Sequence, residues 1–589
     1  MLRLLKYAKK KDWIFSILAI GFIVVQVWLD LKMPDYMNII TQMAQGKSHM
    51  GGEAYQLSDI WGNGGKMLLC ALGSMASSVI TSFFIVNVAA DFSARIREGL
   101  YTKVQSFSNN EINKFSTASL ITRSTNDIQQ IQTLITMGLQ LMIKAPITVV
   151  WAIVKISGKQ WQWSAAVAIA VSFMVMAIVV IISLVVKKFK KIQRLTDDLN
   201  RVTRENLTGI RVIRAYNAEN YQKDKFENIN EDMTKTQLFT GRVMAFISPI
   251  MSMVMNGIAL AIYWIGAVLI NKASIMEFPT LFGDMVVYMA YGMQIIASFM
   301  MLAMMFMIAP RALVSAKRIN EVLETEVIIK DGKGVTKTDS QGTVEFRNVS
   351  FRYPDGQSNV LQNISFKINK GDTVAFIGST GCGKTSLVNL IARFYDTSSG
   401  EVLVDNINVR EYTKEELCKK IGYVSQKAVL FSGDIKSNID FGDSKADVST
   451  VKKAIKISQS EEFINLQGSG IDSHVAQGGQ NFSGGQKQRL SIARALARKA
   501  EIYIFDDTFS ALDYKTDRTL RNAIKSEMED STCIIVAQRI GTIIDADQIF
   551  VLDNGEIVGH GTHSELLNNC DTYKEIAQSQ LSEEELKNA

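Results

Sequence analysis

The stretch "GSTGCGKTS" at 378–386 fits the pattern G-x-x-x-x-G-K-[ST] through Gly378, Gly383, Lys384 and Thr385. It follows the apolar run "TVAFI" (373–377) and precedes the helix-forming "SLVNLIARF", so strand, glycine loop and helix come in the order such a loop needs. The backbone N–H groups of Gly378, Ser379, Thr380, Gly381, Cys382 and Gly383 are expected to wrap phosphates. The helix start through Ser386 favours their charge, Lys384 reaches the outer phosphates, and Thr385 holds Mg2+. A second apolar run, "IYIFD" (502–506), ends on Asp506, which suits the same magnesium directly or through water. Tyr353 in "FRYP" lies upstream of the loop; it stacks on adenine or is a surface aromatic. "NFSGGQKQRLSIARALA" begins at Asn481 and places a Ser-Gly-Gly turn before a long helix, a second anion site built from helix-start N–H groups. One domain does not need two phosphate cradles for one nucleotide, so the second is expected to serve a nucleotide held by another copy of the domain.

These groups fall in the second of two dissimilar halves. The first half has six runs of about 20 apolar residues, near 13–33, 67–90, 133–157, 163–186, 243–271 and 281–308. Lys6, Lys9, Lys10 and Lys11 precede the first run, and no small-residue cleavage site follows it, which predicts a retained span rather than a signal peptide. The long gaps 91–132 and 187–242 are polar and carry Arg95, Arg97, Lys103 and Arg123 in one and Lys187, Lys188, Lys190, Lys191, Arg194, Arg201 and Arg204 in the other. The positive-inside rule then puts both gaps and both termini in the cytoplasm. Leu199, Val202, Leu207, Ile210 and Ile213 recur at helical spacing, so the gaps are expected to be helices that run on below the membrane and turn back. The fold class expected is a membrane all-α domain of six helices with long intracellular helices, fused to an α/β P-loop ATPase domain. The boundaries are 1–323 for the membrane domain, 324–343 for a linker, 344–579 for the nucleotide domain and 580–589 for a tail.

Composition excludes other classes. The net charge of +6 is too mild to argue for nucleic acid, and the basic residues sit beside the apolar runs. Five cysteines without a C-x-x-C pair and four scattered histidines give no disulfide framework or zinc site. The last apolar run carries Met285, Met289, Met293, Met300, Met301, Met304, Met305 and Met307, which either face lipid and neighbouring helices or form a pocket for varied apolar cargo. Lys144, Lys155 and Asp284 lie within or at the ends of spans, as functional charges or as interface residues.

Taken together, the six spans, the P-loop, "YVSQ" with Gln426, "NFSGGQ", "IFDD" and "SALD" resemble a half-transporter of the ATP-binding cassette exporter class over nearly the whole chain. The resemblance implies that Tyr353 stacks on adenine and that Gln426 touches Mg2+ and senses the membrane domain. It implies that Ser483, Gly484, Gly485 and Gln486 close over a partner's ATP, and that Asp513 ends a loop crossing between two sites. The turns near 109–114 and 214–219 resemble coupling helices.

Two positions depart from that pattern. Asp507 stands where the family has a glutamate that polarises the attacking water, and Gln538 stands where it has a switch histidine. The aspartate is shorter by about 1.5 Å of reach, and an amide does not exchange a proton near neutral pH as an imidazole does. "VAQGGQ" (475–480) also departs from the family's usual charges. The departures resemble the degenerate-site subunit of heterodimeric bacterial multidrug exporters, whose intact signature completes the partner's site. The expected partners are a second half-transporter, amphipathic small molecules and membrane lipid in a bacterial plasma membrane. Rivals are a homodimer with two weakened sites, a lipid or peptide exporter, and an ATP-gated regulatory protein that moves nothing uphill.

Overall fold

The computed structural model describes residues 2–44, 57–157, 160–273, 277–335, 341–442, 447–527 and 530–581. The chain divides into two units, Met1–Gln105 with Ala118–Thr325, and Ser106–Thr117 with Glu326–Ala589. The short segment Ser106–Thr117 thus belongs with the second unit, although it interrupts the first in sequence.

Among the described residues of the first unit, six helices are long and apolar enough to cross a membrane, with apolar windows of mean hydropathy from 1.7 to 3.1. They are α1 (Lys10–Ala44), α2 (Leu57–Gln105), α4 (Thr117–Ile156), α5 (Trp161–Thr208), α7 (Glu219–Lys272) and α8 (Phe278–Glu324). The short helices α3 (Asn109–Phe115) and α6 (Ile210–Ala215) sit at the two turns between long polar arms. The 48 residues of α5 reach about 72 Å at 1.5 Å per residue, more than twice the roughly 30 Å of hydrocarbon. Each apolar window is therefore prolonged by polar turns of the same helix.

Ala19, Ile23, Val27 and Leu31 of α1 recur every fourth residue and join Trp163, Tyr288 and Tyr291 in one core. The polar tips of those rings are satisfied: Trp163 Nε1 donates to the Ile262 carbonyl at 3.1 Å, Tyr288 to Ile156 at 2.8 Å and Tyr291 to Leu31 at 2.8 Å. Outward-facing residues remain apolar, with Ile17, Leu69, Val79, Val154, Ile169 and Trp264 all exposed, as lipid contact requires. The methionine run does not form a single pocket wall. Met285 is buried in the core, Met305 is buried against Gly138, and Met300 and Met304 are exposed. Helical rotation spreads a near-continuous run over several faces. The Met307 side chain lies outside the described residues.

The second unit carries twelve strands among its described residues. β1 (Val344–Phe351), β2 (Leu361–Ile368), β4 (Ser399–Val404) and β5 (Ile407–Asn408) form an antiparallel sheet in the order β2-β1-β4-β5. β3 (Thr373–Gly378), β6 (Ile421–Val424), β9 (Ile502–Asp506), β10 (Thr532–Val536), β11 (Gln548–Asp553) and β12 (Glu556–Gly561) form a second sheet, in the order β12-β11-β3-β10-β9-β6. All its pairs but β11–β12 are parallel. β7 (Gly433–Asp434) pairs with β8 (His474–Val475). Every residue of β9 and β10 is buried, which is why both read as unbroken apolar runs rather than alternating ones.

The α3 segment is fastened to this unit by a buried carboxylate. Glu111 accepts bonds from the Ser108 N–H at 2.6 Å and from its hydroxyl, and its other oxygen accepts from the Ile328 N–H at 3.2 Å. Phe107 and Phe115 stack beside it with centroids 6.0 Å apart.

Candidate functional site

Strand order assembles the site. In the order β3-β10-β9-β6 each strand runs the same way, so the residues just past their carboxyl ends share one edge. Those residues are the 378–386 loop after β3, Gln538 after β10, Asp506 and Asp507 at the end of β9, and Gln426 after β6. Crevices at strand carboxyl ends are where such sheets bind ligands.

The glycines of the loop are required by space and by conformation. A Cβ on Gly378 would lie 2.0 Å from the Leu552 carbonyl oxygen. Gly383 holds φ +106°, and a Cβ there would meet Leu361 Cδ2 at 2.7 Å. Gly383 precedes the helix α9 (Lys384–Ile391), while Ser379, Thr380 and Gly381 form the exposed tip. Cys382 is buried beneath the tip, and its sulfur lies 3.6 Å from Lys384 Nζ. The Lys384 ammonium donates to the Gly378 carbonyl at 2.7 Å and the Ser379 carbonyl at 2.9 Å, so it is folded along its own loop. Exposed N–H groups, a helix start and one ammonium make this loop suited to an oligophosphate.

Beside it, the Thr385 hydroxyl donates to Asp506 Oδ1 at 2.9 Å, and the Tyr423 hydroxyl approaches Oδ2 at 3.3 Å. Burial raises the proton affinity of Asp506 above the ordinary carboxylate value, and the Thr385 and Tyr423 donors partly offset it. Burial, then the Asp506 charge, raises Tyr423 as well. A buried carboxylate next to a threonine hydroxyl offers oxygen donors that fit a hard cation such as Mg2+.

Asp507 lies in a different situation. Its backbone is left-handed, with φ 46° and ψ 33°, and its N–H is held by the Val536 carbonyl at 2.9 Å. One oxygen, Oδ2, accepts from Gln426 Nε2 at 3.1 Å and from Gln538 Nε2 at 3.0 Å. Two neutral amides from neighbouring strand ends therefore grip the short acid.

Ser483 caps the helix α10 (Gly484–Ala497): its hydroxyl accepts from the Gln486 N–H at 3.3 Å, and Gln486 Oε1 accepts from the Ser483 N–H at 2.9 Å. Ser483 and Gly484 are exposed, with Gly485 and Gln486 half-buried. Among the described residues, no hydrogen bond joins these four to the 378–386 loop. Tyr353 does reach that loop's helix, its hydroxyl 2.8 Å from Ser386 Oγ, with its ring edge-on to Phe351 and Tyr395. Sequence reasoning overlooked three supports. Besides Tyr423, Thr508 is fully buried and bonds to Val424 and Asp506 carbonyls at 3.4 Å. Gln580 accepts from the Ile540 N–H at 2.9 Å and donates to the Gln538 carbonyl at 2.8 Å, pinning the loop that carries Gln538. Thr508 and Gln580 carry no local motif, and Tyr423 opens "YVSQ", of which the resemblance assigns a role to Gln426 alone.

Comparison with known proteins agrees with this architecture. Residues 361–510 match the ABC transporter family, and residues 16–299 match the ABC transporter transmembrane region. An uncharacterized ABC transporter ATP-binding protein of Mycobacterium tuberculosis is 37% identical over 88% of this chain and 87% of its own length. An ATP-dependent lipid A-core flippase of Pseudomonas aeruginosa is 30% identical over 88% of this chain and 85% of its own. The solved structure of a bacterial Atm1-family ABC exporter with ATP bound superposes with a TM-score of 0.79, covering 97% of this chain and 100% of that one at 23% identity.

Proposed function

The chain belongs to the ABC transporter family, and from that premise we propose that it is one subunit of a heterodimeric exporter whose own ATP site binds more than it hydrolyses. The observation that carries this reading is the grip of Gln426 and Gln538 on one oxygen of Asp507. A general base must turn a free lone pair toward the attacking water. Here two amides occupy one oxygen of the shorter acid, Oδ2, and hold its carboxylate in place.

In this reading Gly378, Ser379, Thr380, Gly381, Cys382, Gly383 and Ser386 cradle ATP, Lys384 swings from its loop carbonyls to the outer phosphates, and Tyr353 stacks on adenine. Thr385, Gln426 and Asp506 would hold Mg2+, which neutralises charge on the phosphates. Ser483, Gly484, Gly485 and Gln486, exposed or half-buried and unbonded to their own loop, complete the partner's site. Both termini and the polar arms are cytoplasmic, as the arms' lysines and arginines require. Closure of two nucleotide domains on ATP drives the membrane helices outward, because ATP binds the closed state more tightly than the open one. The cargo is an amphipathic compound moved out across the plasma membrane of a bacterium. The resemblance to lipid A-core flippases favours a lipid-like amphiphile over a small drug.

The test is Asp507→Asn in the assembled pair. It should leave most ATP turnover, whereas neutralising the partner's catalytic carboxylate should abolish it. Equal loss from both lesions would remove the asymmetric reading.

A further inference from the structure

The main chain is fixed firmly on either side of Gln538 and lightly at that residue. Just upstream, the Ala537 N–H donates to the Phe376 carbonyl at 3.1 Å and ties the chain leaving β10 to β3. Just downstream, Ile540 and Ile543 of the short helix α11 (Ile540–Ile543) are buried in the core of the second unit. Between these anchors Gln538 and Arg539 are exposed. Among the described residues, the Gln538 main chain makes one hydrogen bond, accepted by its carbonyl from Gln580 Nε2 at 2.8 Å. The same side chain closes the start of α11. The first N–H groups of a helix have no partner within it, and Arg539, at the cap position, supplies no side-chain acceptor. Gln580 Oε1 accepts from the Ile540 N–H at 2.9 Å instead. One amide thus bridges Gln538 and Ile540 across Arg539.

The element that carries Gln580 is seated by its own packing. Gln580 is the last residue of the helix α12 (Asp571–Gln580). Tyr573, Ala577 and Gln580 fall at i, i+4 and i+7 and so share one face. Tyr573 and Ala577 are fully buried, and the Tyr573 hydroxyl lies 2.6 Å from His563 Nδ1. Burial of that stripe fixes the helix and delivers its final residue to the loop after β10. Gln580 itself is exposed, so water could satisfy its amide, yet both ends of that amide reach main-chain groups of the loop. From the loop the connection runs on to the acid: Gln538 Nε2 donates to Asp507 Oδ2 at 3.0 Å, and Asp507, Gln538, Arg539 and Thr542 wall one small pocket.

We propose that Gln580 is a positioning residue for this ATP site: by fixing the main chain of Gln538 it aims that residue's amide at Asp507, which makes α12 an input to the site's rate. The inference rests on the slow-site reading above and names what regulates that site. Gln580 makes no hydrogen bond to Asp507, so it acts only through Gln538. With the main chain at Gln538 released, its amide spends less time on Oδ2, and the Asp507 carboxylate is freer to turn toward water.

The test is a double-substitution cycle on Gln580 and Gln538 in the full-length chain within the proposed pair, with the catalytic carboxylate of the proposed partner neutralised. The readouts are single-turnover phosphate release at saturating ATP, ATP affinity, and amide exchange at Ile540. Gln580→Ala should speed release about threefold, approaching the roughly fivefold of Gln538→Ala, and leave ATP affinity unchanged. In the Gln538→Ala background, Gln580→Ala should change release by less than about twofold, because the group it acts through has gone. A merely structural residue would act alike in both backgrounds. Gln580→Glu keeps the shape of the side chain and the acceptor for the Ile540 N–H, but sets a carboxylate against the Gln538 carbonyl. It should speed release as Gln580→Ala does while amide exchange at Ile540 stays slow. Unchanged release in Gln580→Ala, or the same factor in both Gln538 backgrounds, would overturn the proposal. If Gln580→Ala does not fold, Gln580→Glu decides, and release equal to that of the unsubstituted chain overturns it. The sign of the effect is a separate result. Coupled substitutions that slow release defeat the slow-site reading and leave the positioning role standing; independent substitutions that speed release defeat the positioning role and leave the slow-site reading standing.

Discussion

Restoring the longer acid at Asp507 should rescue hydrolysis only in part, because Gln538 would still hold it. A catalytic group misplaced by about 1 Å loses roughly 100-fold in rate, so the missing methylene, about 1.5 Å of reach, accounts for at least about 2.7 kcal/mol. The Gln538 amide sits 3.0 Å from Asp507 Oδ2. A hydrogen bond to a charged acceptor is worth about 1.5–3 kcal/mol; Gln538 is exposed, and solvent reduces that to about 1 kcal/mol, or roughly fivefold. Asp507→Glu alone should therefore raise turnover at this site about 20-fold, and Asp507→Glu with Gln538→His about 100-fold. The assay is single-turnover phosphate release from the full-length chain in the proposed pair, with the catalytic carboxylate of the proposed partner neutralised. If Asp507→Glu alone matches the double substitution, the amide is a spectator. If neither accelerates release, the short acid does not limit the site.

Three further outcomes follow from the geometry. Gly383→Ala forces a Cβ to 2.7 Å from Leu361 at φ +106° and should destabilise the nucleotide domain by about 1–3 kcal/mol, read as a lowered melting temperature and lost ATP binding. Glu111→Ala leaves the Ser108 and Ile328 N–H groups without their acceptor; it should speed amide exchange across Ser106–Thr117 and reduce transport per ATP hydrolysed, with basal ATPase largely kept. His563 is buried with Nδ1 2.6 Å from the Tyr573 hydroxyl, and burial, only partly offset by Asp545, holds its proton affinity below the ordinary value. The unfolded chain then binds the extra proton first, so stability is full above about pH 6.5 and falls as pH drops below it. A pH series of melts should show this, and His563→Phe should flatten it.

Much of this molecule is legible in its sequence because two signals are local. Twenty apolar residues in a row define a span wherever they occur, and each of the six windows lies within a longer helix. The loop at 378–386 is readable because its strand, glycines and helix are contiguous. What was hidden is what strand order and helix packing bring together. Gln426, Asp507 and Gln538 are 81 and 31 residues apart in chain terms, and only the parallel order β10-β9-β6 puts both amides on one oxygen. Lys144 reads as a lone charge until α1 supplies Asp30 from 114 residues upstream. The methionine run left two readings open because its composition is local, and helical rotation, which sends its members to the core, to neighbouring helices and to the exposed face, fits the first of them.

The most direct measurement of the central claim is steady-state ATPase of the purified full-length chain alone, set beside the same chain co-purified with its partner half-transporter. The account predicts that the lone chain binds ATP but turns it over at least about 100-fold more slowly than the pair. Turnover by the lone chain at a rate comparable to the pair would contradict it.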